Sequence, residues 1–367
     1  MLDGCDSCLR RAFLIAHLAP RIAGLLGSRE RRATGLLGLP EDDLIAVAAG
    51  RRVEEALAFL DGLDPDAERA RLADAGIVAV CAHSPRYPAL LLDLSDPPAV
   101  LFGCGRGEAL ALLAEEPAVT VVGTRRASPY GTEVAYALGR GLGASGVPVV
   151  SGLALGIDGT AHRGCLDGRG VPVAVVASGP DVVYPRRHRS LHERVREAGL
   201  VLSELPPGTD PYRWSFPARN RIMAGLARMT LVVEAADPSG SLITAEFAKD
   251  LGRCVAAVPG RVTSTLARGT NNLLKDGATP ISGAEDVLDE LFGVGVRPLA
   301  DPGDSLPVPS EPFLRTVLHA AETGDSVEGV ADATGRTVAE TRAALGRLET
   351  DGYLVRRDLG GWERAAR

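Results

Sequence analysis

FPARNRIMAGLARMTLVVEAADPSGSLITAEFAKDLGRCVAAVPG, residues 216–260, is the stretch from which the architecture can be read. Pro217 opens a helix whose first turn carries Arg219, Asn220 and Arg221. An apolar run, TLVVEA (230–235), follows it; a Ser239-Gly240-Ser241 turn, a second helix and another apolar run, CVAAVP (254–259), come next. Two strand-length runs divided by one helix-length segment make a parallel unit with both sheet faces covered. The alternation extends upstream through GIVAV (76–80), AVLF (99–102), VTVVG (119–123), VPVV (147–150), VPVAVVA (171–177) and LVLS (200–203). From Val119 onward, helix-length segments separate most of these runs. The pattern predicts an α/β protein built on a doubly wound sheet of parallel strands.

On either side of this body, spanning 66–295, the pattern changes. Residues 1–65 hold LRRAFLIAHL, LLGLPEDDLIAVAAG and VEEALAFLDGL, read as short helices in a bundle similar to sterile-alpha-motif or helix-hairpin-helix domains. Residues 296–312 contain five prolines among polar residues and read as a linker. Residues 313–367 give three helical segments and a short hairpin, a winged-helix pattern. Thr337 opens its candidate recognition helix and Gly360-Gly361 its wing turn. Acids slightly outnumber arginines in this last part, so contact with protein suits it as well as contact with DNA.

The chain has 367 residues, 46% hydrophobic, with a formal charge of −7. Residues 120–230 hold 14 Arg against 8 acids, a positive section in an acidic protein, as a localised phosphate-binding face requires. No apolar run is long enough to span a bilayer and the N-terminus lacks a hydrophobic signal core, so a cytoplasmic protein without membrane association is expected. The six cysteines follow no disulfide framework and are expected as reduced thiols. Cys5-x-x-Cys8 has knuckle spacing without a second pair nearby; Cys81 and His83 complete a zinc set only if the fold gathers them, and no metal or cofactor is expected.

Four turns that follow strands carry candidate binding groups. In VVGTRRASPYG (121–131), Ser128 and Pro129 begin a helix whose free amides, beside Arg125 and Arg126, form an anion site. In SGLALGIDGTAHRG (151–164), Ser151 and Gly152 begin a turn of close backbone approach, and Asp158 and His162 stand four apart, more often a structural pair than an acid–base one. Arg219, Asn220 and Arg221 put three donors in one helical turn, and Ser239, Gly240 and Ser241 can line a phosphate or ribose. Just upstream, YRWSF (212–216) sets the rings of Trp214 and Phe216 beside Arg213, a combination that stacks bases and grips phosphates without reading sequence. Such turns gather on the carboxyl edge of an open sheet, where ligands bind. Gly141-Leu-Gly143-Ala-Ser-Gly146 matches a dinucleotide fingerprint but ends a helix and precedes a strand, the reverse of the working context.

These motifs, in order, resemble the DprA/Smf family of bacterial natural-transformation proteins. The likeness runs from YPALLLDLSDPPAVLFGCG (87–105) through GTRRASPYG, SGLALGID, VVYPRRHR, SELPPG, FPARNR, VVEA, SGSLITA, VPG and GTNNLL to DGA. It implies an extended Rossmann-like domain, often with an N-terminal helical domain and a C-terminal winged helix. It also implies a non-enzymatic protein that binds single-stranded DNA, usually as a homodimer, protects it and hands it to the RecA recombinase. Carried over to this chain, Gly123, Thr124 and Arg125 would hold a backbone phosphate. Phe216 or Trp214 would supply a stack, and Arg213, Arg219 and Arg221 the cations. Ser178-Gly179-Pro180-Asp181 departs from the family's usual turn before Tyr-Pro. The alternative is a Rossmann-like nucleotide hydrolase similar to phosphoribohydrolases, echoed by Ser239-Gly240-Ser241 and Glu246 but lacking their Pro-Gly-Gly.

Overall fold

The computed structural model describes residues 2–27, 33–300, 309, 311–321, 326–356 and 361–364. Most of the linker and Gly360 of the expected wing turn lie outside them. One compact unit comprises Met1–Pro185 with Arg189–Asp301, and the C-terminal residues belong to a second.

Among the described residues of the first unit, ten strands form one sheet, in the order β1-β2-β3-β7-β6-β5-β4-β8-β9-β10. They are β1 (Leu2–Asp3), β2 (Ile77–Cys81), β3 (Val100–Gly105), β4 (Val119–Val122), β5 (Val149–Ser151), β6 (Pro172–Val175), β7 (Leu200–Ser203), β8 (Met229–Val232), β9 (Cys254–Ala257) and β10 (Thr279–Pro280). From β4 to β7 the chain steps steadily to one side; it then returns, and β8 pairs in parallel on the other flank of β4. The strand order therefore reverses between β4 and β8. At such a switch point the connecting helices lie on opposite faces and leave a crevice at the strand carboxyl ends.

Helices cover both faces. Val119, Val121 and Leu231 point to a cluster closed by α7 (Pro129–Ala144), α8 (Ile157–Asp167) and α13 (Ala284–Phe292). Val122, Val150 and Val232 point the other way, to α6 (Glu108–Glu115), α10 (Ser215–Leu226) and α11 (Gly240–Asp250). Strands wholly buried by helices on both sides read as continuous apolar runs, which is why they were legible. Two further helices, α9 (Arg189–Ala198) and α12 (Arg268–Lys275), complete the set.

Three expectations need correction. The sheet is not uniformly parallel, because β3 runs antiparallel to both β2 and β7. Between β2 and β3 only a short 3-10 turn, Ala89–Asp93, intervenes, and it is not a crossover helix. β1 and β10, at two residues each, are too short for a periodicity to register. The N-terminal region begins with one long helix, α1 (Asp6–Leu26), which continues through Pro20. A proline inside a helix costs about 3 kcal/mol, but Leu18, Ala19, Ile22 and Leu26 carry the buried stripe past it and packing prevails.

The other N-terminal helices are α2 (Ala33–Leu37), α3 (Glu41–Ala49), α4 (Val53–Asp61) and α5 (Pro65–Asp74). Their core includes Leu205, Trp214 and Ala218 from the body of the unit, so the helical region and the sheet share one interior. The second unit holds α14 (Pro312–Ala321), α15 (Val327–Thr334), α16 (Val338–Thr350) and an antiparallel pair, β11 (Leu354–Arg356) and β12 (Trp362–Arg364). Thr337 caps α16 in a reciprocal box with Glu340, and Leu318, Val330, Leu345 and Trp362 close a separate core. No helix among the described residues is long and apolar enough to cross a membrane.

Candidate nucleic-acid interface

A cleft of about 840 Å³ opens at the switch point. Its lining comes from the turn after β4 (Gly123, Thr124, Arg125), from Arg213, Phe216, Arg219 and Asn220 at the start of α10, and from Ser239, Gly240 and Ser241 at the start of α11. Stretches about a hundred residues apart in sequence thus meet on one rim. A smaller recess adjoins it, sharing Arg125, Phe216 and Arg219 and adding Gly152.

The turn after β4 is held by backbone. Thr124 N donates to Glu234 O at 2.7 Å, and Ile157 N donates to Thr124 O at 3.2 Å. A Cβ at Gly123 would lie 2.6 Å from Ile157 Cγ1, so only glycine lets the turn close onto α8. Arg125 leaves this turn exposed, with its guanidinium carbon 5.2 Å from the centroid of Phe216. Tyr184 also stands against that ring, at 5.5 Å between centroids and 55° between planes, and is 46% exposed. A cation beside two partly exposed rings is a combination that can stack a base and attract a phosphate.

At the floor, Arg219, Asn220 and Asp158 find their partners within the protein. Arg219 is 7% exposed; its Nη1 donates to Gly152 O at 2.8 Å and to Val175 O, and its Nε donates to Asn220 Oδ1 at 3.1 Å. Burial, partly offset by Asp158 and reinforced by Arg125, brings this guanidinium down to about 10. Asp158 accepts from Gly152 N at 3.1 Å, and burial raises its carboxyl above the usual carboxylate range. It is therefore a structural acid, tied to the Gly152 turn and to Arg219. A Cβ at Gly152 would collide with the Arg219 guanidinium, which explains that glycine. Asn220 Nδ2 donates to Gly240 O at 3.2 Å and fixes the Ser239 cap over the first turn of α11.

Several expected interface residues lie elsewhere. Ser151 is buried, its hydroxyl donating to Val121 O at 2.6 Å beneath the cleft. Trp214 is 1% exposed, packs among the N-terminal helices and donates from Nε1 to Ala19 O at 3.1 Å. Its ring cannot stack a base; an aromatic beside arginine was a sound cue, but the helical bundle claims this one. Arg221 is fully buried, gripping Glu204 through two bonds of 2.6 and 3.0 Å and Asp96 at 3.0 Å. Arg126 is exposed beside the turn but outside the cleft lining.

The expected anion site at the start of α7 is also filled from within. Glu234 accepts from Ser128 N at 2.8 Å and Ser128 Oγ at 2.7 Å, placing its own carboxylate at that helix start. Glu234 and Tyr184 are neighbours of the candidate site that reading by segments missed. Tyr184 lay in the quoted VVYPRRHR motif, and only the fold sets it against Phe216.

Because Trp214 serves the interior, Trp214→Phe should cost about 1–2 kcal/mol by removing the indole hydrogen bond to Ala19 O and part of the buried ring, measured in urea unfolding. Oligo-dT affinity should not move; a tenfold loss would return this ring to the interface.

Comparison with known proteins agrees with the motifs. The family model of DNA recombination-mediator protein A matches residues 78–292. The chain belongs to that family. Among relatives of this DprA/Smf family, a DNA processing protein DprA assigned as putative in Mycobacterium tuberculosis is 42% identical over 253 residues, 67% of this chain. The match spans 64% of that relative's own length. Protein Smf of Escherichia coli K12 is 38% identical over 281 residues, covering 75% of this chain and 74% of the relative. The crystal structure of Streptococcus pneumoniae DprA superposes with a TM-score of 0.62 at 33% identity, covering 78% of this chain and 96% of that one. Helicobacter pylori DprA, described for its single-stranded DNA binding mode, superposes with a TM-score of 0.52 at 29% identity over 58% of this chain and 95% of that one.

Proposed function

We propose that this DprA/Smf member is a non-enzymatic protein of DNA recombination that binds single-stranded DNA in the cleft between β4 and β8. One observation carries the reading: exposed Arg125 and the half-open Phe216 and Tyr184 rings converge on the rim that also holds Arg213 and the α11 helix start. Arginines neutralise phosphates and release counterions, while the rings stack unpaired bases of any sequence. A duplex hides its base faces, so single strands are favoured. The relatives named above support a DNA-processing role in recombination; a place in natural transformation, protection of the incoming strand, delivery to RecA and action as a homodimer are the finer parts of the reading. The C-terminal unit is read as a winged helix that assists rather than carries this binding. The protein is expected in the cytoplasm.

The hydrolase alternative fares less well. Glu246, its candidate acid, is exposed on α11 and is not among the residues lining the cleft. The acid that does line it, Asp158, is committed to the floor. Fluorescence anisotropy with oligo-dT and a matched duplex, on the full chain and on a chain ending before residue 310, tests the proposal. Both forms should prefer the single strand, with affinities within a few-fold of each other. Loss of binding on truncation, with the sheet unit still folded, would transfer the activity to the C-terminal unit and defeat the cleft reading.

A further inference from the structure

Far from the cleft in sequence, the first residues of the chain and the end of β2 meet. β1 pairs in parallel with β2, Asp3 opposite Val80, so both strands deliver their following residues to the same edge. Cys5 is the N-cap of α1 and Cys8 sits in its first turn; Cys81 ends β2 and His83 lies in the turn after it. The donor atoms of Cys5, Cys8, Cys81 and His83 all lie within 4.8 Å of one another. His83 Nδ1 stands 3.5 Å from Cys5 Sγ and 3.3 Å from Cys8 Sγ.

We propose that these four residues form a structural zinc site that pins the start of α1 to the sheet edge. The argument is first geometric. Tetrahedral zinc, with Zn–S near 2.3 Å and Zn–N near 2.05 Å, requires S···N separations of about 3.6 Å. Two thiols converging on a single ring nitrogen at that spacing use it beyond one hydrogen bond. The second argument is chemical. Three sulfurs and one imidazole form a closed, soft donor set that selects zinc over hard cations and leaves no open position for catalysis.

The third argument concerns surroundings and topology. Cys8 and Cys81 are 7% and 1% exposed, in an apolar cluster with Leu9, Leu72 and Phe102 that keeps the thiolate–metal bonds dry. All the cysteines are free rather than bridged. The ligand pairs are 75 and 78 residues apart, so one ion closes a loop containing the whole helical region. That region shares its core with Trp214, next to the start of α10, so the ion would brace the scaffold behind the interface.

The test is metal content of the full chain purified without chelator and under reducing conditions. Elemental analysis should give one zinc per chain, and anaerobic exchange with Co²⁺ should produce the intense visible bands of tetrahedral thiolate coordination. Cys254→Ser, outside the cluster, should keep both signals, and Cys8→Ser should lose them. Because Cys8 is buried and its replacement also perturbs the core, exposed His83 supplies a second arm. His83→Ala should lose metal to a chromophoric chelator that leaves wild type loaded, and His83→Cys should restore retention with a stronger thiolate band. Wild type that is metal-free and takes up no Co²⁺ would overturn the site, as would equal metal content in wild type, Cys8→Ser and His83→Ala.

Discussion

Replacing Arg125 and Phe216 together by alanine should weaken oligo-dT binding roughly a hundredfold at moderate salt while leaving thermal stability nearly unchanged. An aromatic ring that stacks a base contributes about 1–3 kcal/mol, and a charge-assisted contact to phosphate about 1.5–3 kcal/mol. A hundredfold loss needs only about 2.8 kcal/mol. The two effects differ in signature. Arg125→Ala alone should reduce the slope of log affinity against log salt by about 0.7, the counterion release of one phosphate on a single strand. Phe216→Ala alone should shift affinity equally at every salt concentration. Because Arg125 lies over the Phe216 ring, the single effects need not add, and the double-variant cycle measures their coupling. Stability should hold because Arg125 is exposed and Phe216 half-buried at a rim. Affinity and salt slope unchanged in the double variant would remove the cleft from DNA binding altogether.

Arg221→Ala should be among the most destabilising single changes in the sheet unit, costing about 3–5 kcal/mol. The residue is fully buried, and burial works against its charge. Glu204 and Asp96 nevertheless outweigh that and hold its pKa above the ordinary value. Removing the cation strands two carboxylates and frees the Asp96 and Ala218 carbonyl oxygens it also binds. Arg221→Met with Glu204→Gln should recover part of the loss, since one carboxylate then remains uncompensated rather than two. Urea unfolding of the single and double variants measures both. If Arg221→Ala unfolds within 1 kcal/mol of wild type yet abolishes oligo-dT binding, this arginine belongs to the interface after all.

Arg219, Asn220 and Arg221 show where reading a sequence stops. Adjacent on one helical turn, they look like one donor cluster. The helix rotates them about 100° apart, and three environments receive them. Arg219 meets the cleft floor, Asn220 the α11 cap, and Arg221 a buried pair of acids. Trp214 and Phe216, two residues apart, separate likewise into the helical core and the rim.

What the chain determined by itself is the set of strands buried on both faces, the helices between them and the turns that bear glycine, serine and arginine. Those depend on neighbours in sequence, through hydrophobic period and local capping, and need no knowledge of the rest of the molecule. The antiparallel entry of β3, the partnering of Glu234 with the α7 start, the stack of Tyr184 on Phe216 and the meeting of Cys5 and Cys8 with Cys81 and His83 were decided only in three dimensions. Each joins groups separated by at least thirty residues, and a contact of that kind is fixed by strand order and by competition for burial, which no local pattern encodes.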